Sequence, residues 1–508
     1  RLVLPYFDQD LSQLKLSKRL KVLILDYFDQ DLEPLKEFGL ELEELSIKSF
    51  TKNLQPLANM PIKKLTLSQY QGDLTVLKCL SLEDLSINLS EDMYTSLSGI
   101  CIKKLSLGFS KGLKYLVDVR IDEVIAPMYT KTLECFRRMG IKKLEIGSDD
   151  TLEPLKNEPI EEIRMNNFTG WHGDLEPLKG KLLRIVHMNQ YNGSLCSFLG
   201  SMIEEIQMNQ FDDDLSGLSK SPVKIMIMNE FNGDLTPMSD TPLEILIMNS
   251  YDQDDIPLRA CTLREITMNM YKSHIQSLYK HPLRIVEMHC FNGDLSPLGS
   301  MIQELRMNGF NGSLDPLKYM HSLRVIHMDS YNQTLGPLRD LKHLVELKMN
   351  SFNHSLEPIK NSMIEILHMN SYQGESVEPL KDLPLTELIM NQFNGDLRPL
   401  LLRTEFNFIS FDGYRGDYAI LKSLCEKSTA YCYAILDHSQ ETTNCDYDYE
   451  CIELYNYVTK DNEKNFELRN GNWAQEFYSF TEAQIYIETQ FSDKVFINKI
   501  LKTVKNGR

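Results

Sequence analysis

The stretch MNEFNGDLTPM, residues 228–238, decides how this chain folds, because close variants of it follow one another along the sequence. These variants begin at Met208, Met248, Met288, Met307, Met349 and Met390. The aromatic residues within them stand at a constant separation of 20, as in Phe211, Phe231 and Tyr251. Self-similarity at a short fixed period is the signature of a solenoid, in which successive coils of chain stack on one another. A chain of 508 residues can then bury its core as a long stack instead of one globule.

The repeat covers residues 1–411. One apolar residue recurs at the same place in each unit, from Leu4 to Met390, and this spacing predicts about twenty coils of about 20 residues each. A weaker unit near Val124 interrupts the pattern, and EFNFISF at 405–411 is the last, degenerate unit. The chain opens part-way through a repeat, so we do not expect residue 1 to be the native N-terminus.

Each unit reads apolar-x-x-apolar-x-Met, as in Ile160, Ile163 and Met165, and its last positions alternate as in a short β-strand. The Asn-Gly pairs that follow, such as Asn232-Gly233, tolerate positive φ and predict a turn there. The proline of Asp-Leu-x-Pro-Leu favours an extended segment outside the hydrogen-bond ladder. About five residues remain before the next strand, too few for a normal helix, so we expect extended or turn structure on the side opposite the strand. The predicted fold class is a mainly β repeat solenoid, a parallel β stack with little or no convex helix.

The pattern L-x-x-L-x-M-N-x-F-N-G-D-L-x-P-L resembles a leucine-rich repeat over residues 1–411, and it is similar to the FNIP repeats of amoebae and large DNA viruses. The resemblance implies a leucine-rich-repeat-like solenoid. The leucine-rich pattern places an inward-pointing Asn at its ninth position, whereas here the ninth position is aromatic, as in Phe231, and the seventh is Asn, as in Asn229. Strand alternation therefore predicts an inner stack of aromatic rings and a row of outer asparagines near the rim.

This asparagine row comprises Asn166, Asn189, Asn209, Asn229, Asn249, Asn269, Asn308, Asn350, Asn370 and Asn391, and it is interrupted by His289 and Asp329. It has two interpretations: an amide ladder that joins successive coils, or a polar strip that binds a partner. The methionine column is interpreted as adaptable core filler. The turn aspartates are expected to accept hydrogen bonds from nearby backbone N–H groups. They are Asp73, Asp174, Asp234, Asp294 and Asp396.

Residues at the third and fifth positions of the strands are expected to point outward and form one variable face. Four isoleucines fall on two neighbouring coils of this face, and we call them the isoleucine patch: Ile225, Ile227, Ile245 and Ile247. An apolar cluster rimmed by charge indicates a site for a protein partner. The alternative is that these β-branched residues stabilise the strands. The histidines of this face lie on distant coils, which argues against a shared metal site. They are His187, His327 and His368.

The repeat ends near residue 411, and we expect residues 412–508 to form a small α+β capping or docking domain. An open end of the stack would otherwise leave apolar surface and an unpaired strand edge. GDYAILKSLCEKSTAYCYAIL from Gly416 predicts a helix and then a strand, while 480–491 and 492–508 predict two further helices. Zinc binding, with His438 as a further candidate ligand, and disulfide bonding both remain open for a group of nearby cysteines that has no Cys-x-x-Cys spacing. These are Cys425, Cys432, Cys445 and Cys451.

The formal net charge of −18 argues against nucleic acid as a main partner, because binding phosphate needs a basic surface. No apolar run approaches the roughly 18 residues that a membrane span needs, and no secretory signal opens the chain. The first six cysteines form no pairing pattern and suit a reducing compartment. We therefore expect a location in the cytoplasm or in a virion rather than secretion.

No catalytic triad order, phosphate loop, paired-carboxylate signature or calcium-loop spacing stands out, which predicts a non-enzyme without cofactor or metal. The repeat and its variable face favour a non-catalytic protein-protein interaction or scaffold protein. Two alternatives stay open. The FNIP resemblance and the Asn/Lys/Ile/Tyr-rich composition favour a structural or surface protein of a large virus particle. FNIP-like repeats can also follow an F-box, which would imply a substrate-recruiting subunit of a ubiquitin ligase, although no F-box is visible. The partner's identity and the oligomeric state are left open.

Overall fold

The computed structural model describes residues 1–14, 16–68, 70, 72–88, 97, 99–108, 119–171, 174–374, 376–402, 406–411, 413–414, 416–427, 431–433, 453–458, 464–470 and 473–477. The chain divides into two compact units, Arg1–Leu263 and Arg264–Arg508.

In the first unit each coil contributes one short strand, and consecutive strands within this unit pair in parallel. The strands are β1 Leu2–Val3, β2 Val22–Leu25, β3 Glu44–Ile47, β4 Lys64–Leu67, β5 Asp84–Ile87, β6 Cys101–Leu107, β7 Arg120–Ala126, β8 Lys143–Ile146, β9 Glu162–Arg164, β10 Ile185–His187, β11 Glu205–Gln207, β12 Ile225–Ile227 and β13 Ile245–Ile247. The weaker unit near Val124 thus still contributes a strand, β7.

The second unit continues the same plan with parallel neighbours. Its strands are β14 Glu265–Thr267, β15 Ile285–Glu287, β16 Glu304–Arg306, β17 Val325–His327, β18 Glu346–Lys348, β19 Ile366–His368, β20 Glu387–Ile389, β21 Phe408–Ser410 and β22 Tyr431–Tyr433. The parallel register of short strands from successive coils is that of a leucine-rich-repeat-like solenoid.

The segment after residue 411 contains a helix, α1 Tyr418–Lys427, and then β22, as the sequence predicts. β22 pairs in parallel with β21, so the parallel ladder continues past residue 411. An antiparallel sheet follows, made of β23 Glu453–Val458, β24 Lys464–Asn470 and β25 Trp473–Phe477. The helices predicted over 480–491 and 492–508 lie outside the described residues, and so do the side chains of all four C-terminal cysteines.

The side opposite the strands consists mainly of short 3-10 turns, so of the two predicted alternatives, extended or turn structure, the turn is the one found. The turns of the first unit are Leu11–Gln13, Gln55–Leu57, Thr75–Cys79, Leu133–Phe136, Glu153–Leu155, Glu176–Leu178, Cys196–Phe198, Leu215–Leu218, Thr236–Met238 and Ile256–Ala260, with one short α-helix at Glu33–Glu37. Those of the second unit are Gln276–Leu278, Asp315–Tyr319, Gly336–Leu338, Glu357–Ile359, Glu378–Leu380 and Arg398–Leu402. Proline suits these turns because its fixed φ matches the first helical positions, where its missing N–H costs nothing.

Turn aspartates accept backbone hydrogen bonds at the start of the segment opposite the strands. The backbone N–H of Thr236 donates to Asp234 Oδ1 at 2.8 Å, and that of Ser296 donates to Asp294 Oδ1 at 2.9 Å. Asp73, Asp174 and Asp396 accept the same bond from the residue two positions later. The predicted capping role of all five aspartates is confirmed.

The core is a set of columns, each built from one repeat position. Met226, Met228, Leu246 and Met248 are fully buried, so the methionine column is core, as predicted. The ninth-position aromatics are also buried and stack on one another: the ring centroids of Phe231 and Tyr251 lie 6.4 Å apart and nearly parallel. The predicted inner aromatic stack is therefore confirmed.

The position of the tight backbone turn differs from the prediction. Positive φ falls on the residue between the asparagine and the aromatic, as at Glu230 with φ 64°, and the Asn-Gly pairs have none. The glycine serves another purpose. A Cβ at Gly233 would lie 2.6 Å from Cζ of Phe231, closer than real Cβ contacts come. Glycine therefore makes room for the buried ring instead of supplying an unusual backbone angle.

Candidate functional site

The asparagine row is a hydrogen-bonded ladder that joins successive coils. The side-chain amides of Asn229 and Asn249 donate to the side-chain oxygens of Asn209 and Asn229, at 2.8 Å in both cases. The same oxygens accept the backbone N–H groups of the next coil, at 2.9 and 3.1 Å. The structural interpretation of the row is thereby confirmed.

The two interruptions of the row preserve its essential bond. Asp329 Oδ1 accepts the backbone N–H of Asn350 at 2.9 Å. His289 uses Nδ1 as the acceptor for the backbone N–H of Asn308, also at 2.9 Å, which places its proton on Nε2. The ladder position thus requires an acceptor, because it must satisfy a backbone N–H that lies just beyond the end of the strand ladder.

A second ladder, which the sequence analysis missed, runs one residue after the aromatic stack. The side-chain oxygens of Asn192, Asn232 and Asn292 accept the backbone N–H of the equivalent residue in the next coil at 2.7–3.0 Å. Asp149 does the same for Thr169. The Asn of the Asn-Gly pairs at Asn192, Asn232 and Asn292 therefore serves coil stacking. The sequence signal for it was the recurrence of Asn or Asp at this position.

The isoleucine patch lies on the outward side of β12 and β13. Ile225 pairs in register with Ile245, and Ile227 with Ile247, so the four side chains form two adjacent rows. The residues between them, Met226 and Leu246, are fully buried. The patch residues themselves are half-buried. Adjacent parallel strands lie about 4.8 Å apart, so in-register neighbours cover part of each other.

Polar groups surround the patch on the same strand face. His187 Nε2 hydrogen-bonds Glu205 Oε1 at 2.8 Å on the preceding coils, and Gln207 lies beside Ile227 in the register. At the entry side, Glu204 forms ion pairs with Arg184 at 3.1 Å and with Lys224 at 3.4 Å. At the exit side, Gln210 donates to Glu230 at 3.1 Å. The patch is therefore an apolar area within a polar frame.

The histidines of the strand face share one arrangement that the sequence analysis did not anticipate. Each donates or shares a hydrogen bond with a glutamate of the next coil: His187 with Glu205 at 2.8 Å, His327 with Glu346 at 2.7 Å and His368 with Glu387 at 2.5 Å. The glutamate follows its histidine by 18 or 19 residues, and this spacing was the available signal. The three histidines are not brought together.

The pKa values of His327 and Glu346, which form one of these pairs, both lie below their ordinary values. Burial lowers the pKa of His327, while its hydrogen bond to Glu346 acts in the opposite direction. Burial alone would raise the pKa of Glu346, but the hydrogen bonds from Lys348 and His327 hold it below its ordinary value. The Lys348 ammonium lies 2.7 Å from Glu346 Oε1. The carboxylate is therefore the charged centre of a small three-residue network.

Within the part of the chain that the structure describes, no three His, Cys, Asp or Glu side chains converge where they could hold a metal ion. Cys135 and Cys261 are buried thiols, and burial raises the pKa of Cys135 to about 11. Cys79, Cys101, Cys196 and Cys290 are exposed free thiols. Over the same described residues, no helix is long and apolar enough to cross a membrane.

No protein-family model matches the chain, and no curated protein matches it. Solved structures similar to it include an internalin, InlF, from Listeria monocytogenes, with 17% identity, a TM-score of 0.38, and coverage of 62% of this chain and 86% of that one. The functional domain of InlJ from Listeria monocytogenes has 11% identity and a TM-score of 0.30, and the match covers 88% and 86% of the two chains. The PEPR1–AtPEP1 structure has 12% identity and a TM-score of 0.31, with coverage of 82% and 86%.

Proposed function

We propose that this chain is a non-catalytic protein-binding solenoid that contacts its partner through the strand face, with the isoleucine patch at the centre of the contact. The observation that carries the proposal is the in-register pairing of Ile225 with Ile245 and of Ile227 with Ile247. It gathers four large apolar side chains on one outward surface. Apolar centres within polar rims are typical of energetically important contact sites.

Different positions within each coil have different roles, and this supports the proposal. The residues that recur at the same place in each repeat serve the stacking of the coils. They form the two side-chain ladders, the turn caps and the buried columns. The third and fifth strand positions carry different side chains in different coils, such as Glu205 and Gln207 in β11 and Ile225 and Ile227 in β12, and the isoleucines have no polar atom that could join those bonds. These positions can differ from coil to coil without loss of the fold, which suits a surface that selects a partner.

Replacement of Ile227 and Ile247 by lysine tests the proposal. Both side chains point outward, so we expect the double variant to keep the circular dichroism spectrum and melting temperature of the parent. Its affinity for a partner isolated with the parent protein should fall at least about tenfold, because two charges would be buried in an apolar contact. Gln207→Lys is the matched control, since it places one lysine at the same strand position of the preceding coil, outside the patch.

A double variant that loses stability while it retains the partner would support the alternative, that the isoleucines serve the strands. Purification from the native source separates the remaining candidates. Recovery in a stoichiometric particle would favour a structural role in a virus. Recovery with a ubiquitin-ligase core would favour a substrate-recruiting role.

A further inference from the structure

A strongly exposed apolar cluster of the first unit lies outside the strand face, on the edge where the chain enters two neighbouring strands. Leu182 is 71% exposed, Leu199 69% and Met202 55%, and we call these three residues the leucine–methionine edge. Exposure of this degree exceeds that of the half-buried isoleucine patch. Large apolar side chains exposed together are uncommon on a surface that only faces water.

The backbone places these residues side by side. Leu182 precedes β10 by three residues and Met202 precedes β11 by three, and the two strands pair in register from Ile185 and Glu205 onward. The register holds before the strands too, because the backbone N–H of Glu204 donates to the carbonyl of Arg184 at 2.9 Å. Leu183 and Ile203 are buried, so strand-like alternation turns the residues before them toward solvent. Leu199 lies one turn before Met202, ahead of Gly200, which has φ 74°.

The surroundings of the edge are cationic, although the chain as a whole carries a formal net charge of −18. The three entry segments 179–184, 199–204 and 219–224 contain one acidic residue, Glu204, against five basic residues. The basic residues are Lys179, Lys181, Arg184, Lys220 and Lys224. The formal charge of these segments is thus five minus one, or +4.

The ion pairs at the edge cancel only part of this charge. The carboxylate of Glu204 forms ion pairs with Arg184 at 3.1 Å and with Lys224 at 3.4 Å. The ammonium of Lys181 donates to two neutral acceptors, the carbonyl oxygens of Lys156 at 2.8 Å and Glu158 at 2.6 Å. Lys179 pairs with Glu176 at 3.0 Å, outside the three segments. Glu158 also attracts Lys181 electrostatically. With Glu158, Glu176 and Glu204 counted, five basic residues stand against three acidic ones, so an excess of +2 remains around three exposed apolar side chains.

We propose that the leucine–methionine edge binds an acidic amphipathic peptide segment of a partner protein. Apolar side chains of that segment would pack on Leu182, Leu199 and Met202, and its carboxylates would face the surrounding lysines. A peptide fits better than an anionic bilayer, because the rest of this strongly acidic chain would be repelled by a negatively charged membrane surface. The edge is separate from the isoleucine patch, so this inference does not depend on the function proposed above.

The test measures binding of short fluorescent peptides to the full chain by anisotropy. One peptide alternates leucine with glutamate, and its counterpart alternates leucine with lysine. We expect the acidic peptide to bind and the basic one to bind at least about tenfold more weakly, with the difference shrinking at high salt. Leu182→Asp combined with Met202→Asp should abolish binding of the acidic peptide. Lys220→Glu should weaken it several-fold.

Met363→Asp is the matched control, because Met363 is 53% exposed and precedes its strand β19 by three residues, as Leu182 precedes β10. It should leave binding unchanged. Equal binding of the two peptides, or an unchanged affinity in the Leu182→Asp, Met202→Asp variant, would overturn the proposal. So would the absence of acidic-peptide binding together with sedimentation of the chain on vesicles of phosphatidylserine and phosphatidylcholine. Circular dichroism of each variant separates loss of contact from loss of fold.

Discussion

The side-chain oxygen of Asn209 accepts two hydrogen bonds from Asn229 of the next coil, one from its backbone N–H at 2.9 Å and one from its side-chain amide at 2.8 Å. One short side chain thus satisfies a backbone donor at the end of a strand and fixes the orientation of the next asparagine. Parallel strands of three residues, such as β11 and β12, provide few backbone bonds of their own. The ladder supplements them at every coil where it is present.

Asn209→Ala should therefore lower the free energy of unfolding by about 1–3 kcal/mol, because it leaves a part-buried backbone N–H without its acceptor. Urea denaturation followed by circular dichroism provides the measurement. Asn209→Asp retains an acceptor, as Asp329 does toward Asn350, and should cost less. Asn192→Ala removes an exposed bond of the second ladder, to Asp212, and serves as the control with a cost below about 1 kcal/mol. Equal costs at Asn209 and Asn192 would contradict the importance of burial.

A double-mutant cycle can test the close approach of the Phe231 ring to Gly233. Phe231→Ala should cost about 3–5 kcal/mol of unfolding free energy through the cavity it leaves. Gly233→Ala should also destabilise the parent, since its Cβ would meet the ring at 2.6 Å. In the Phe231→Ala background, Gly233→Ala should cost nothing, because the obstructing ring is gone. If the glycine were needed for its backbone angle instead, its replacement would cost the same in both backgrounds.

Two buried tyrosines should make the protein sensitive to alkali. Burial raises the pKa of Tyr191 and that of Tyr331 to about 12 in the folded chain, against about 10 in an unfolded one. Their contribution is fully present below pH 10 and is lost as the pH rises toward 12, by about 2–3 kcal/mol for each tyrosine. Tyr191→Phe and Tyr331→Phe should flatten the fall in unfolding free energy between pH 10 and 12. Tyr279→Phe, at a 55% exposed position, should leave the slope unchanged.

His327 should titrate below its ordinary pKa of about 6.5, because burial disfavours its charged form. The unfolded chain then takes up this proton at a higher pH than the folded one. The contribution of His327 to the free energy of unfolding is therefore fully present above pH 6.5 and is lost as the pH falls through the lowered pKa. Glu346→Gln should lower the pKa of His327 further by removing the carboxylate that opposes burial, as NMR titration can show. Glu357→Gln, which removes an exposed partner of Lys360, is the control and should leave His327 as it is.

The sequence by itself determined the repeat and which positions face inward. A period of 20 residues and the alternation around Phe231 and Met228 are local properties, and they have the same consequence in every coil. The burial of the aromatic and methionine columns and the aspartate caps therefore followed from reading one repeat, whereas the asparagine row allowed two interpretations, a ladder or a binding strip. The outward positions of the four isoleucines were predictable for the same reason.

Tertiary structure alone decided the features that join one coil to another at specific positions. The pairing of His187 with Glu205, the second ladder through Asn232, and the exposure of Leu182 beside Met202 all depend on which residues the stacking register brings together. Gly233 is an example within one coil: its sequence context suggested a turn with positive φ, but the positive φ lies at Glu230, and the glycine accommodates a ring. A repeat motif specifies the shape of a coil, whereas contacts between side chains of different coils appear only once those coils are packed in register.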